Sequence, residues 1–332
     1  MMLISPDKKT EKKGIFAMPQ KGLLLFCAFY LQLLQLSAWG FEPHRRINQQ
    51  ACLILPAPLF GFYKSHINYM MQHATDPDMR RYVDTLEAGR HFIDMEHFGG
   101  DMDSLPMNYY EALEKYGVQH LQHEGNLPWN IVRNVFLLKQ AFSEQNTDFI
   151  LKISADLGHY LADAHVPLHT TANYNGQMTG QNGIHGLWET EVPKLFMDTL
   201  LVPMPHFEYN ENWTSWIWDC IKESNQQVNT VLKAEMNVRH QIPEKDWYGF
   251  RQEKNGVKKT YSHAYLTAYH NQLKGMVEQR FIASAQVLAQ LIYSAWIMAG
   301  EPPLDALHFT KPDTETSKTA NSLPATELDC NH

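Results

Sequence analysis

The sequence predicts an all-α protein built as a single multi-helix domain. Three observations carry that expectation. Apolar residues recur with helical period from Arg45 to Gly300, no run alternates apolar and polar residues as a half-buried strand would, and prolines fall where the periodic stretches end. At 332 residues, 44% hydrophobic and 19% charged, the chain is long enough for a sizeable core, which excludes collagen-like, coiled-coil and wholly disordered classes.

Taken in order, the elements begin with an export signal over residues 1–38. Lys8, Lys9, Lys12, Lys13 and Lys21 precede an apolar stretch at 23–36, which closes on the small residues Ser37 and Ala38. The stretch is short for a bilayer span and is interrupted by Gln32 and Gln35. Met18 is an alternative start that keeps Lys21 as the basic residue, and Leu25 and Phe26 before Cys27 do not suit a lipoprotein site. Cleavage after Ala38 makes Trp39 the first residue. It removes a net charge of +3 and takes the chain from −8 to −11. So acidic a protein is not a generic polyanion binder. A secreted or periplasmic protein with no transmembrane span in the mature chain is expected. Cys52, Cys220 and Cys330 remain; a Cys52–Cys220 bond is open to an exported protein, but an odd count is no disulfide framework.

Amphipathic helices are expected at 59–71, 129–142, 148–164 and 213–234, with one long helix or two at 262–298. Pro56, Pro58, Pro106, Pro128, Pro167 and Pro193 mark element ends, and loops are expected at 99–107 and 170–183. The polar tail at 311–332, with Thr, Ser, Asn and Pro, reads as disordered. No internal repeat or linker divides residues 39–310, so one domain is expected there.

The 17 histidines are the compositional oddity and point to metal or acid–base chemistry. His159 and Asp163 stand four apart after an apolar helical approach, so both project from one helix face as a zinc ion needs. Pro167 ends or kinks that helix and lets His169 leave the face. His165 lies on a different face and is left out. His185 and Glu189 repeat the spacing, with Trp188 turned towards the core. Further candidates are His73-Ala-Thr-Asp76-Pro-Asp78 followed by Arg80 and Arg81, then His91-Phe92-Ile93-Asp94, and Trp39 with Glu42 and His44 at the mature terminus. Singly, each has a bland reading: a capped helix end, a surface pair, a core Phe.

Together, in the order Trp39, His44, Asp76, His91, His159, Asp163, His169, His185 and Glu189, they resemble the zinc-dependent phospholipase C and single-strand-specific nuclease superfamily. The resemblance spans Trp39 to about Met298 and implies an all-helical domain of that type with three zinc ions. By resemblance, one ion is held by Asp76, His91, His159 and Asp163, and a second by His169, His185 and Glu189. The third takes the free amino group and carbonyl of Trp39 with His44 and a bridging Asp163. Asp78 is an alternative to Asp76, because Asp-Pro-Asp leaves the register open. Asp76 and Asp163 are the expected catalytic carboxylates, with Arg80 or Arg81 reaching the phosphate.

Clustered divalent ions lower the pKa of water and offset charge on phosphoryl oxygens, which suits phosphodiester hydrolysis. Glu189 as last ligand, the modest loop between His169 and His185, and Glu42 resemble the phospholipase branch, where a carboxylate meets a cationic headgroup. Trp39-Gly40, its short distance to His44, and Phe92 with Asp94 resemble the nuclease branch, where the aromatic stacks on a base. A phospholipase C-like hydrolase is the expectation, with a nuclease or nucleotidase as the alternative and a non-catalytic exported metal-binding protein as a third reading. The expected partner is the phosphodiester, a phospholipid headgroup or a single-stranded nucleic acid; no protein partner is implied.

Overall fold

The computed structural model describes residues 40–253 and 256–304; the segment expected to be an export signal, Trp39 and the polar tail lie outside the described residues. Helices dominate, as the periodicity predicts. α1 (Phe41–Ile54), α2 (Leu59–Ser65), α3 (Ile67–Gln72) and α4 (Asp76–Arg80) open the domain. α5 (Tyr109–Tyr116) and α6 (Val118–His123) follow, then the long pair α7 (Leu127–Ser143) and α8 (Thr147–Ala164). α9 (Ile184–Gly186) runs into a wide π turn at Leu187–Glu191, and α10 (Trp213–Gln241), α11 (His263–Leu273) and α12 (Met276–Met298) complete the set.

α8 is the centre. Asn146 caps its start by accepting the Phe149 N–H at 3.1 Å, and Pro167 cannot donate the hydrogen bond that would carry it further. Every residue from Ile153 to Ala164 is buried, as expected of a helix surrounded on all sides. α1, α7 and α12 pack against it. Gly158 permits the closest of these approaches: a Cβ there would meet Asn48 Oδ1 of α1 at 1.8 Å. Asn48 is fixed in turn, donating to Met70 O at 3.1 Å and Ala155 O at 3.2 Å. α12 has the length and mean hydropathy (1.5) of a membrane span, but it is a core helix, with Phe281, Leu288 and Ile292 almost wholly buried.

Three local readings differ from the sequence expectation. The stretch 59–71 is two helices, broken at His66, whose ring N–H donates to Phe62 O at 2.8 Å. The stretch 262–298 is also two, because Lys274 and Gly275 both take positive φ, 51° and 79°. And strands occur where none was expected: β1 (Tyr248–Glu253) pairs antiparallel with β2 (Gly256–Tyr261), Tyr248 opposite Tyr261 and Arg251 opposite Lys258. Their side chains are mostly solvent-exposed, so no burial alternation marks them. Cys52 and Cys220 are both buried and free, so the disulfide open to them does not form.

Candidate metal centre

α8 presents His159 and Asp163 one turn apart, both fully buried. After the helix ends, Val166 is extended ahead of Pro167, and a 3-10 turn at Pro167–Thr170 carries His169 back towards the same point. α9 supplies His185, and the π turn that follows supplies Glu189, a distortion that recurs at functional sites. α1 supplies His44, α4 supplies Asp78, and the turn after Ala88–Arg90 supplies His91. Each of these eight side chains is buried.

Asp163 sits at the middle. Its Oδ2 is 2.9 Å from His91 Nδ1 and 3.4 Å from His159 Nε2, and its Oδ1 is 3.6 Å from His44 Nε2 and 3.9 Å from His169 Nε2. Asp78 Oδ1 lies 3.7 Å from His159 Nε2 and 4.0 Å from His91 Nδ1. On the other side Glu189 Oε2 is 3.2 Å from His185 Nε2 and 3.5 Å from His169 Nε2. The rings of His44 and His159 stack at 4.0 Å.

Three imidazoles are aimed by the same device. His159, His169 and His185 donate from Nδ1 to the carbonyls of Ala74, His91 and Tyr174, at 2.9, 2.6 and 3.1 Å. That hydrogen bond fixes the tautomer and leaves Nε2, with its lone pair, facing the cluster, as metal-binding histidines require. His91 is turned the other way, Nδ1 inward and Nε2 3.6 Å from the buried carboxylate of Glu87.

The residues fit a set of metal ions. Both nitrogens of His44, Asp78 Oδ2, Asp163 Oδ1, His169 Nε2 and both oxygens of Glu189 are buried with no hydrogen-bond partner. Leaving so many polar atoms unsatisfied in one place costs about 1–3 kcal/mol each. A cation would satisfy them together. Ligand atoms cluster within 4.8 Å in three groups, the first two sharing His159: His44, Asp78 and His159; His91, His159 and Asp163; His169, His185 and Glu189. Hydrogen-bonding histidines, carboxylates and no thiolate form a donor set suited to zinc.

The electrostatics show the same lack. Burial lowers His44 to about 3 and His91 to about 4, and holds His159 well below its usual range. Burial pushes Asp78 up to about 7, with Arg81 opposing, and pushes Asp163 well above the carboxylate range, with Asp78 and Glu189 adding to the rise. Against burial, the nearby His185 and His169 hold Glu189 below its usual range, and Glu189 holds His185 above its own.

The structure separates the two aspartates that the sequence left in competition. Asp76 is half-exposed and bonded to His73 Nδ1 at 2.7 Å, outside the cluster, whereas Asp78 is buried in it. Two residues along a helix turn a side chain by about 200°, so only one of the pair faces inward. Asp78, and not Asp76, therefore joins the candidate metal groups. Arg80 is held by Asp156 at 3.0 Å and Tyr160 at 3.2 Å, while Arg81 reaches Asp78 at 3.5 Å. Of the expected substrate contacts, Glu42 is exposed and 3.8 Å from Arg45, and Phe92 is half-buried. Asp94, which burial and Glu96 raise to about 6, groups with His97 and Glu124 instead of the main cluster. His165 Nδ1 donates to Leu161 O at 2.7 Å, at the end of α8.

Glu87 is the residue that sequence reasoning missed. It is fully buried and bonded to Arg90 at 2.6 Å, to the Tyr160 hydroxyl, and to Arg80 at 3.5 Å. Burial would raise it, but His91, Tyr160 and the two guanidinium groups hold it down at about 2. The i, i+4 spacing of Glu87 and His91 was visible, although nothing in it shows burial.

Residues 43–242 match a family model described as zinc dependent phospholipase C. Among solved structures, the alpha toxin from Clostridium absonum is similar at 15% identity and a TM-score of 0.44, over 78% of this chain and 65% of the toxin. The chain thus spans just under two thirds of that toxin's length. No curated protein sequence matches.

Proposed function

The chain belongs to the zinc dependent phospholipase C family, and we propose that it is an exported phosphate-diester hydrolase of the phospholipase C type that works through three zinc ions. The observation that carries this reading is the convergence of eight buried side chains, of which His44, Asp78, Asp163, His169 and Glu189 hold buried polar atoms with no hydrogen-bond partner.

Asp78, His91, His159 and Asp163 would hold one ion, and His169, His185 and Glu189 a second. His44 and Asp163 would share a third with the amino nitrogen and carbonyl of Trp39. Trp39 lies outside the described residues, but Gly40 donates its N–H to Thr190 Oγ1 at 3.1 Å, beside Glu189, which supports that placement. Export cleavage after Ala38 would then free the amine that an uncleaved chain holds as an amide.

Bound zinc would supply a water of lowered pKa and offset charge on the phosphoryl oxygens. The chain's own residues do the remainder. Asp163 holds the two sides of the site together from its central position. Asp78 Oδ2, which has no hydrogen-bond partner, orients the attacking water and accepts its proton. Arg81, at the edge of the cluster beside Asp78, meets the non-bridging phosphate oxygens. The backbone carbonyls of Ala74, His91 and Tyr174 keep three imidazoles aimed, so little reorganisation is needed as charge develops.

The test is hydrolysis of phosphatidylcholine vesicles beside single-stranded DNA, each with and without a chelator. Chelator-sensitive headgroup release that exceeds DNA cleavage supports the proposal. Faster cleavage of DNA would move the protein to the nuclease branch, and zinc binding without turnover on either would leave a metal-binding protein.

A further inference from the structure

We propose that the β1–β2 hairpin docks the enzyme on phospholipid surfaces that carry anionic headgroups, with Phe250 and Val257 entering the interface, Lys259 on the same face meeting phosphate, and Arg251 and Lys258 adding electrostatic attraction from the opposite face.

The hairpin is held to the domain at its root. Ser262 donates its N–H to Trp247 O at 2.9 Å, Tyr261 stacks on the buried Tyr265 at 5.2 Å, and Thr260 donates to Glu191 Oε2 at 3.3 Å. Beyond that root the described side chains of both strands are exposed. Phe250 is 80% exposed and Val257 65% exposed. The pairing puts both on one face, since Phe250 opposes Lys259, Gln252 opposes Val257, and opposed residues share a side. On the other face Arg251 stands directly opposite Lys258, both exposed.

Two features there are unfavourable in water. Phe250 leaves nearly its whole ring uncovered, and a pair of like charges directly across the strands repel. A lipid surface against the first face takes the apolar side chains into the acyl boundary and sets Lys259 beside headgroup phosphate. The negative potential of an anionic surface, which reaches about a Debye length, offsets the repulsion between Arg251 and Lys258 on the other face. The cations also stand out against the chain, which carries a net charge of −8. Lys259 Nζ lies 4.1 Å from the Tyr248 ring, so an aromatic and a cation sit together on the same face as Phe250 and Val257, a pairing that suits a headgroup layer.

The position suits the chemistry. Glu191, to which the hairpin root is bonded, belongs to the same π turn as Glu189. A surface held by the hairpin is therefore connected through one turn to a ligand of the metal centre. The proposal rests on the phospholipid reading of that centre and adds the element that would bring it to its substrate.

The experiment uses the processed, zinc-loaded enzyme with vesicles of phosphatidylcholine alone and of phosphatidylcholine mixed with phosphatidylserine. Sedimentation measures binding, and hydrolysis of soluble bis-p-nitrophenyl phosphate is followed in parallel. Wild type is expected to bind mixed vesicles more tightly, and less so as salt is raised. Phe250→Ser with Val257→Ser should weaken binding about tenfold or more. Replacing Arg251, Lys258 and Lys259 with Gln should remove the preference for phosphatidylserine, about fivefold per cation. Neither set should change soluble turnover. Vesicle binding that both sets leave intact would overturn the proposal. So would a wild type that hydrolyses the soluble diester yet binds no vesicle, and so would self-association through Phe250 without lipid binding. Failure of the wild type to hydrolyse any diester would instead bring down the functional reading.

Discussion

Asp76 and Asp78 pose the sharpest question at the scale of single residues. Only two positions separate them, yet one pairs with His73 at the surface and the other is buried among imidazoles. Asp78→Asn should lower turnover by about a hundredfold or more and loosen zinc, since it removes a charged ligand and a proton acceptor together. Asp76→Asn should leave turnover nearly unchanged, and its exposed ion pair contributes no more than about 0.5 kcal/mol. Kinetics and metal content of the two variants check this directly; equal losses in both would contradict the register. Glu87→Gln should weaken zinc at the His91 position about 10- to 100-fold, because it takes charge from the carboxylate facing His91 Nε2, 3.6 Å away. Chelator competition measures that loss, and the ion expected at His169, His185 and Glu189 should be retained. The sequence showed the i, i+4 pairs because helix geometry is local. It left Asp76 and Asp78 open because that choice depends on how the short α4 sits against α8.

Among elements, the close passage of α1 over α8 decides whether His44 reaches the centre. Gly158 makes the passage possible, and Asn48, on the same face of α1 as His44, fills the space. Gly158→Ala would push Cβ into an Asn48 side chain pinned by two backbone carbonyls, costing about 1–3 kcal/mol of stability. A lowered Tm accompanied by weakened zinc binding is the expected outcome; an unchanged Tm would show that α1 shifts freely. The sequence conveyed the major helices well, since their amphipathic periods are long. It conveyed breaks poorly: His66 and Lys274 are ordinary helix residues, and the chain turns there for reasons of packing and positive φ. The hairpin was hidden because its strands are polar and exposed, although Asn255-Gly256 is a dipeptide that favours such turns.

Across the whole molecule, the buried site makes stability depend on pH and on metal. Asp78, raised from 3.8 to about 7, keeps a proton that the unfolded chain has released, so its contribution is full below 3.8 and lost as pH rises through 7. Asp163 and His185, also raised, act in the same sense. His44, His91 and His159 are lowered, so their contribution is complete above 6.5 and lost as pH falls towards their folded values. The metal-free protein should therefore be most stable near about pH 6.5 and weaken towards pH 8, and zinc should abolish that alkaline loss. Thermal unfolding across pH with chelator or zinc checks it; an alkaline fall that zinc leaves unaltered would contradict it. Beneath these predictions lies the claim that the eight buried side chains form one polynuclear zinc site. Metal analysis of the processed protein, reconstituted with zinc and then dialysed, tests that claim most directly. Three zinc ions retained per chain is the predicted result, and a protein that emerges folded with none would contradict it.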